Sequence, residues 1–261
     1  MMDILQKEDM LCSKEFITDL LSQFLTVFFF LFFLLSFLLK FHLLMHYFFS
    51  SFKNKALPSD AASPLLCAGI TVYSPFKFGG VKQGTKVAVI GIGGLGHLGI
   101  KIAAAMGAEV TAISTSESKR EEAKRLGAVN FIKLGEEEAL TKYHHYFDFI
   151  LNTASAPLDW HYLIQLVRAH GTVNSVGLPP NDVVLPPREL LRHVLFTGTL
   201  IGSPSEIEEM LKFCAEKNIV AEIEVLPFSD VNKGIEKLRK SEAKYRYVLS
   251  IQPELDEKYK K

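Results

Sequence analysis

The run Val87-Ala88-Val89-Ile90-Gly91-Ile92-Gly93-Gly94-Leu95-Gly96 couples four apolar residues to a G-x-G-x-x-G loop. The tetrapeptide suits a strand buried on both faces. Downstream, Leu98, Ile102 and Ala105 recur on one helical face, and Glu109-Val110-Thr111-Ala112-Ile113-Ser114 reads as a second strand. Together they make a strand–helix–strand unit of about thirty residues. Each glycine of the motif has its own reason. Gly91 permits the tight turn, Gly93 lets a pyrophosphate approach the backbone, and Gly96 lets the helix pack on the strand, with Gly94 and Leu95 completing the loop. The helix N-terminus then offers N–H groups and partial positive charge to phosphates. In this context the motif predicts a dinucleotide site rather than an idle turn.

The end of the second strand bears on which dinucleotide. An Asp or Glu there would hold a ribose 2′-hydroxyl. The chain instead reads Ser114-Thr115-Ser116-Glu117-Ser118-Lys119-Arg120. A carboxylate at that place repels a 2′-phosphate, whereas hydroxyls and a lysine hydrogen-bond and neutralise it. Glu117 falls where the next helix begins and suits its first turn. The expected cofactor is NADP, held by Ser114, Thr115, Ser116 and Lys119.

The alternation continues: helix Glu117–Leu126 stopped by Gly127, strand Val129–Ile132, an acidic helix through Leu140, and strand Phe147–Leu151. Helix Leu158–Ala169 and strand Thr172–Val176 follow, then a Pro-rich loop, a short helix and strand Leu195–Ile201. This predicts an α/β fold with a Rossmann-type, doubly wound parallel sheet. Ligands of such sheets sit beyond the strand C-termini, which nominates Thr153, Val176-Gly177 and Gly202-Ser203 as cofactor-lining positions.

Composition limits the alternatives. Of 261 residues, 48 % are hydrophobic and 22 % charged, which excludes a disordered or collagen-like chain. The 29 basic residues balance the 29 acidic ones, so no net field draws the chain to nucleic acid. Three scattered cysteines, Cys12, Cys67 and Cys214, form no disulfide framework, and a cytoplasmic, reducing location is expected. The N-terminal part is a different material, holding twelve of the 20 Phe within its first 52 residues. Leu20 to Leu39 is uncharged and long enough for a membrane-spanning helix, giving a candidate anchor and membrane contact at residues 20–39. Lys53 and Lys55 would then face the cytoplasm. The competing reading is translated non-coding sequence, because Phe, Leu and Ser are what T-rich DNA yields as codons.

Several motifs together resemble the C-terminal part of the zinc-type medium-chain alcohol dehydrogenases, nearest the cinnamyl alcohol dehydrogenase branch. They are Pro64-Leu65-Leu66-Cys67-Ala68-Gly69-Ile70-Thr71-Val72-Tyr73-Ser74-Pro75, Gly91 to Leu98, Ser114-Thr115-Ser116 with Lys119-Arg120-Glu121-Glu122-Ala123, Ile201-Gly202-Ser203, and Lys244-Tyr245-Arg246-Tyr247-Val248. The resemblance runs from about Ala61 to Ile251. It implies NADP-dependent interconversion of alcohols and aldehydes at a catalytic zinc. It maps one zinc ligand onto Cys67, the 2′-phosphate group onto Ser114, Thr115, Ser116 and Lys119, and a cofactor-phosphate cation onto Arg246.

The departures from that pattern matter as much. No Gly-His-Glu segment, cysteine cluster or β-barrel pattern precedes Ala61. A catalytic zinc needs three protein ligands and an open position, and Cys67 supplies one. Cys12, His42 and His46 have no fixed geometry to replace the others. No catalytic residue is therefore assigned, and the chain is expected to be truncated and unable to oxidise alcohols alone. The alternatives are an NADP-binding remnant without chemistry and a membrane-anchored reductase.

The expected divisions are an apolar segment over residues 1–56, a linking helix over 57–85, an NADP-binding domain over 86–226 and a C-terminal return segment over 227–261. Within the last, helix Ser229–Lys240 would expose Val231, Ile235 and Leu238 for want of a covering domain. His97 is expected to be packed or capping, and Trp160, Tyr162 and Cys214 to be core. A homodimer is expected through strand Leu195–Ile201 and its neighbour Glu222–Leu226.

Overall fold

The computed structural model describes residues 57–240 and 243–251. The segment 1–56, with its candidate anchor at 20–39, lies outside the described residues, as do Cys12, His42 and His46. Among the described residues no helix is long and apolar enough to cross a membrane.

A short helix α1 (Ser59–Ala62) leads into α2 (Ala68–Phe78). The alternating unit follows as β1 (Lys86–Ile90), α3 (Gly96–Ala105), β2 (Glu109–Ser114), α4 (Arg120–Leu126), β3 (Asn130–Lys133), α5 (Glu137–Tyr143) and β4 (Phe147–Asn152). It continues through α6 (Trp160–Leu166), β5 (Val167–Ser175), α7 (Pro187–Leu190) and β6 (Leu195–Gly198). The chain closes with α8 (Pro204–Glu216), β7 (Ile223–Pro227), α9 (Val231–Arg239) and β8 (Arg246–Ser250). Strands β1 to β6 form one parallel sheet in the order β3-β2-β1-β4-β5-β6. That is the doubly wound Rossmann-type arrangement expected from the alternation.

The central strands β1, β2 and β4 are buried on both faces, while β6 at the edge is largely exposed. Ala88, Ile90, Ile113, Ile132 and Ile150 pack on one side with Tyr143 of α5 and Trp160 and Leu163 of α6. On the other side, position 99 of α3 lies against Val89 and Leu151, and Phe76 of α2 meets Phe149 edge-on with ring centroids 5.6 Å apart. Each fully buried aliphatic side chain contributes about 1.5–3 kcal/mol, so the strands hold by burial on two faces. Helix α2 is part of this packing. Tyr73 donates to the Glu209 carboxylate (2.9 Å) and Ser74 to Glu206 (2.8 Å), fastening α2 to α8.

Several predicted elements differ in detail. Helix α6 ends at Leu166, and Val167-Arg168-Ala169 belong to β5 instead of the helix. Val167 pairs with Phe147, and the Arg192 guanidinium donates to the carbonyls of Ile164 (2.9 Å) and Val167 (2.8 Å), which ends the helix there. His170 (φ 59°) and Gly171 lie at an irregularity within the strand. Strand β6 ends at Gly198, three residues before the predicted Ile201, whose φ is 60°. Helix α8 begins at Pro204 because Ser203 and Glu206 build a capping box, Ser203 accepting from the Glu206 N–H and Glu206 from the Ser203 N–H. Finally, β7 pairs in parallel with β8 in a separate two-stranded sheet. Helix α9 leaves Ile235 and Leu238 exposed.

Candidate cofactor site

The strand order reverses between β1 and β4, so the crossovers on either side diverge and leave a crevice at their C-terminal ends. The glycine loop leaves β1 there. Gly91 has φ +88°, a conformation that L side chains rarely adopt, and its N–H donates to the Ile113 carbonyl (2.9 Å). A Cβ at Gly96 would stand 1.9 Å from the Gly91 carbonyl oxygen, so only glycine lets α3 begin so close to the strand. Gly93 is the opposite case: it is exposed, and a Cβ would meet nothing within 4 Å. No side chain caps α3 at Leu95, so the helix presents its backbone end to the crevice.

The loop is braced from two sides. The Thr153 hydroxyl, just past β4, donates to the Ile90 carbonyl (2.7 Å), and the Thr153 N–H reaches the same oxygen (3.0 Å). From β8, the Arg246 Nε donates to the Gly94 carbonyl (3.0 Å). This guanidinium is half-buried, and burial lowers its pKa below the usual arginine value. A Cβ at Gly94 would stand 2.7 Å from Arg246 Nε, so glycine is what admits the cation. Arg246 therefore lies on the loop and is not a loose surface charge.

At the end of β2, Ser114 Oγ accepts from the Ser116 N–H (3.3 Å), and Ser116 and Ser118 share a hydroxyl–hydroxyl bond (2.7 Å). Thr115 and Ser116 are exposed. Lys119 bonds Glu122 (2.7 Å) and stands 5.4 Å over the Tyr245 ring. Glu117 bonds Arg120 (3.0 Å), whose guanidinium holds the carboxyl below its ordinary pKa. The end of β2 thus presents hydroxyls and a cation.

The remaining sequence-predicted positions divide. The Val176 and Gly177 N–H groups both donate to the Asn152 carbonyl (2.9 and 3.1 Å). A Cβ at Gly177 would lie 2.1 Å from the Ala154 oxygen, so the ends of β4 and β5 close together beside Thr153. Gly202 packs on Ile70 of α2, where a Cβ would come within 2.7 Å. The Ser203 side chain is committed to the α8 cap. Cys67 is exposed at the start of α2. Among the described residues no three His, Cys, Asp or Glu side chains converge on a metal position, so these residues do not fit a zinc site.

One group was read only as packed or capping, and it does more. His97 has no exposed surface. Its Nδ1 lies 3.0 Å from the Gly93 carbonyl, its Nε2 accepts from the Glu222 N–H (3.2 Å), and its ring stacks on Tyr245 at 4.5 Å. An accepting Nε2 carries no proton, so Nδ1–H donates to Gly93. Burial, as the largest cause, lowers the His97 pKa to about 4, which keeps this neutral form at physiological pH. Glu222 in turn bonds Arg125 (2.7 and 2.8 Å) and pairs with Lys101 (3.2 Å), lowering its carboxyl to about 2. The glycine loop is therefore tied to β7 and β8 through one buried imidazole. Nothing local in the sequence connects positions 97, 222 and 245.

Residues 94–216 match the zinc-binding dehydrogenase family model. The NADP-dependent alcohol dehydrogenase C of Mycobacterium bovis is 42 % identical over 75 % of this chain and 57 % of its own length. A cinnamyl alcohol dehydrogenase of Sorghum bicolor superposes with a TM-score of 0.71 at 37 % identity, covering 75 % of this chain and 56 % of the other. The Helicobacter pylori cinnamyl alcohol dehydrogenase complexed with NADP(H) gives 0.67 at 36 % identity, covering 77 % of this chain and 57 % of the other. The chain thus spans little more than half the length of the relatives it matches. With the crevice, the glycine loop and these similarities in agreement, the chain carries a zinc-binding dehydrogenase domain and is similar, over about three quarters of its length, to the C-terminal part of alcohol dehydrogenases.

Proposed function

We propose that this chain binds NADP(H) in the crevice between β1 and β4. The observation that carries the reading is the end of β2, where Ser114, Thr115, Ser116 and Lys119 stand in place of an acid. Gly91, Gly93, Gly94, Leu95 and Gly96 would receive the pyrophosphate on backbone N–H groups, with Arg246 adding positive charge. Thr153, Val176, Gly177, Gly202 and Ser203 would line the nicotinamide end, Ser203 through its backbone because its hydroxyl caps α8. The NADP(H) in the name of the mycobacterial relative and in the Helicobacter complex supports the same choice.

Bound NADP would supply hydride exchange between an alcohol and an aldehyde, the reaction class of the family. For that chemistry Cys67 is one ligand where three are needed, so the chain by itself would hold cofactor without zinc-dependent turnover. The test is competition: 2′-AMP should displace NADPH fluorescence where 5′-AMP does not, and added zinc with an aromatic aldehyde should give no NADPH oxidation. Equal displacement by both nucleotides would overturn the cofactor assignment. Steady zinc-dependent oxidation would overturn the claim of inactivity. The outer edge of β6, which no further strand pairs among the described residues, and the exposed Leu195 also favour a homodimer, which a monomeric mass in light scattering would remove.

A further inference from the structure

The cations nearest the end of β2 are not equally available. Lys119 is bonded to Glu122 at 2.7 Å, and Arg120 is bonded through Nε and Nη2 to Glu117. Each is matched by a carboxylate of its own helical turn, so a phosphate arriving there meets a partly neutralised pair. Lys133 differs. It ends β3, is exposed, and forms no ion pair among the described residues.

Its position follows from the sheet register. The last rung of the β2–β3 ladder pairs Ser114 with Lys133, and the Leu134 N–H donates to the Ser114 carbonyl (2.8 Å). Residues paired across neighbouring strands stand about 4.8 Å apart and send their side chains to the same face. A lysine at 133 therefore rises beside the Ser114 hydroxyl, at the place where a ribose 2′-substituent would lie. The Glu117 carboxylate, on the turn after β2, feels the Lys133 charge as well as that of Arg120.

We propose that Lys133 is a specificity-determining residue, a cation with no ion-pair partner among the described residues, which favours a 2′-phosphorylated adenosine ribose over the free 2′-hydroxyl. This rests on the NADP reading above. A 2′-phosphate adds close to two negative charges where the hydroxyl has none, so an adjacent lysine discriminates without touching the rest of the cofactor. The contact is exposed, and salt weakens it.

Isothermal titration of the full chain with NADPH and NADH, for the wild type, Lys133→Met and Lys133→Arg, tests the assignment. Lys133→Met is expected to weaken NADPH roughly tenfold and leave NADH within about twofold, while Lys133→Arg retains the preference. The difference between wild type and Lys133→Met should shrink on raising salt from about 0.05 to 0.5 M. Unchanged NADPH affinity in Lys133→Met, or equal losses for both cofactors, would overturn the role of Lys133. A wild type that does not prefer NADPH would overturn the cofactor reading itself, and this inference with it. A wild-type preference that survives Lys133→Met would remove the inference alone.

Discussion

Replacing His97 with Phe separates the two things that the buried imidazole does. Phe keeps a ring against Tyr245 but can neither accept from the Glu222 N–H nor donate to the Gly93 carbonyl. The Gly93 carbonyl keeps the backbone N–H of residue 97 (3.1 Å), so the cost is the stranded Glu222 N–H, about 1–3 kcal/mol at neutral pH. The pH dependence should change in the other direction. The unfolded chain takes up the His97 proton below pH 6.5, whereas the folded chain takes it up only near 4. Stability is therefore complete above pH 6.5 and falls as pH drops toward 4, because the unfolded state binds more protons in that window. The difference of 6.5 − 4 = 2.5 pH units corresponds to about 3 kcal/mol. Glu222, lowered from 4.5 to about 2, contributes mostly below pH 4.5, and His145, whose pKa burial also lowers, titrates in the same interval as His97, so the difference between wild type and His97→Phe from pH 6.5 to 4.5 isolates His97. Urea unfolding across that interval can be followed by the fluorescence of Trp160, the single tryptophan, which is buried. The wild type should lose about 2–3 kcal/mol between pH 6.5 and 4.5, and His97→Phe should start lower and lose much less. Equal slopes for the two proteins would refute the buried neutral histidine.

Three further substitutions probe separate parts of the site. Gly96→Ala drives a Cβ to 1.9 Å from the Gly91 carbonyl and should cost about 3 kcal/mol or more, with loss of NADPH binding, as read by thermal unfolding and titration. Arg246→Gln removes a cation from the Gly94 carbonyl and should weaken NADPH and NADH by a similar factor of about ten, whereas Lys119→Ala should weaken NADPH selectively, both read as dissociation constants. Ser203→Ala breaks the capping box of α8 and should lower stability by about 1 kcal/mol with cofactor affinity unchanged, since its hydroxyl is already committed to the helix.

What the sequence disclosed was set by local sterics, and what it concealed was set by distant pairing. Gly91 and Gly96 are required by a turn and a close approach within six residues, so the loop and the strand–helix–strand unit could be read directly. The alternation of apolar strands and helices then specified the sheet. Val167 was misread because Ile164-Gln165-Leu166-Val167 continues a helical apolar pattern, while its conformation follows from pairing with Phe147 twenty residues earlier. Ser203 illustrates a signal present but unused, since Ser-Pro-Ser-Glu has the spacing of a capping box. The His97 link could not be read at all. Its partners at 222 and 245 are brought to the loop only when β7 and β8 pair, and their residue types alone do not announce it.

Calorimetric titration of the 261-residue chain with NADPH and with NADH, in the same buffer and salt, bears on everything argued for the crevice. The acid-free end of β2 predicts saturable heat with NADPH and an affinity at least about tenfold above that for NADH. Equal affinities, tighter binding of NADH, or no heat with either cofactor would contradict it.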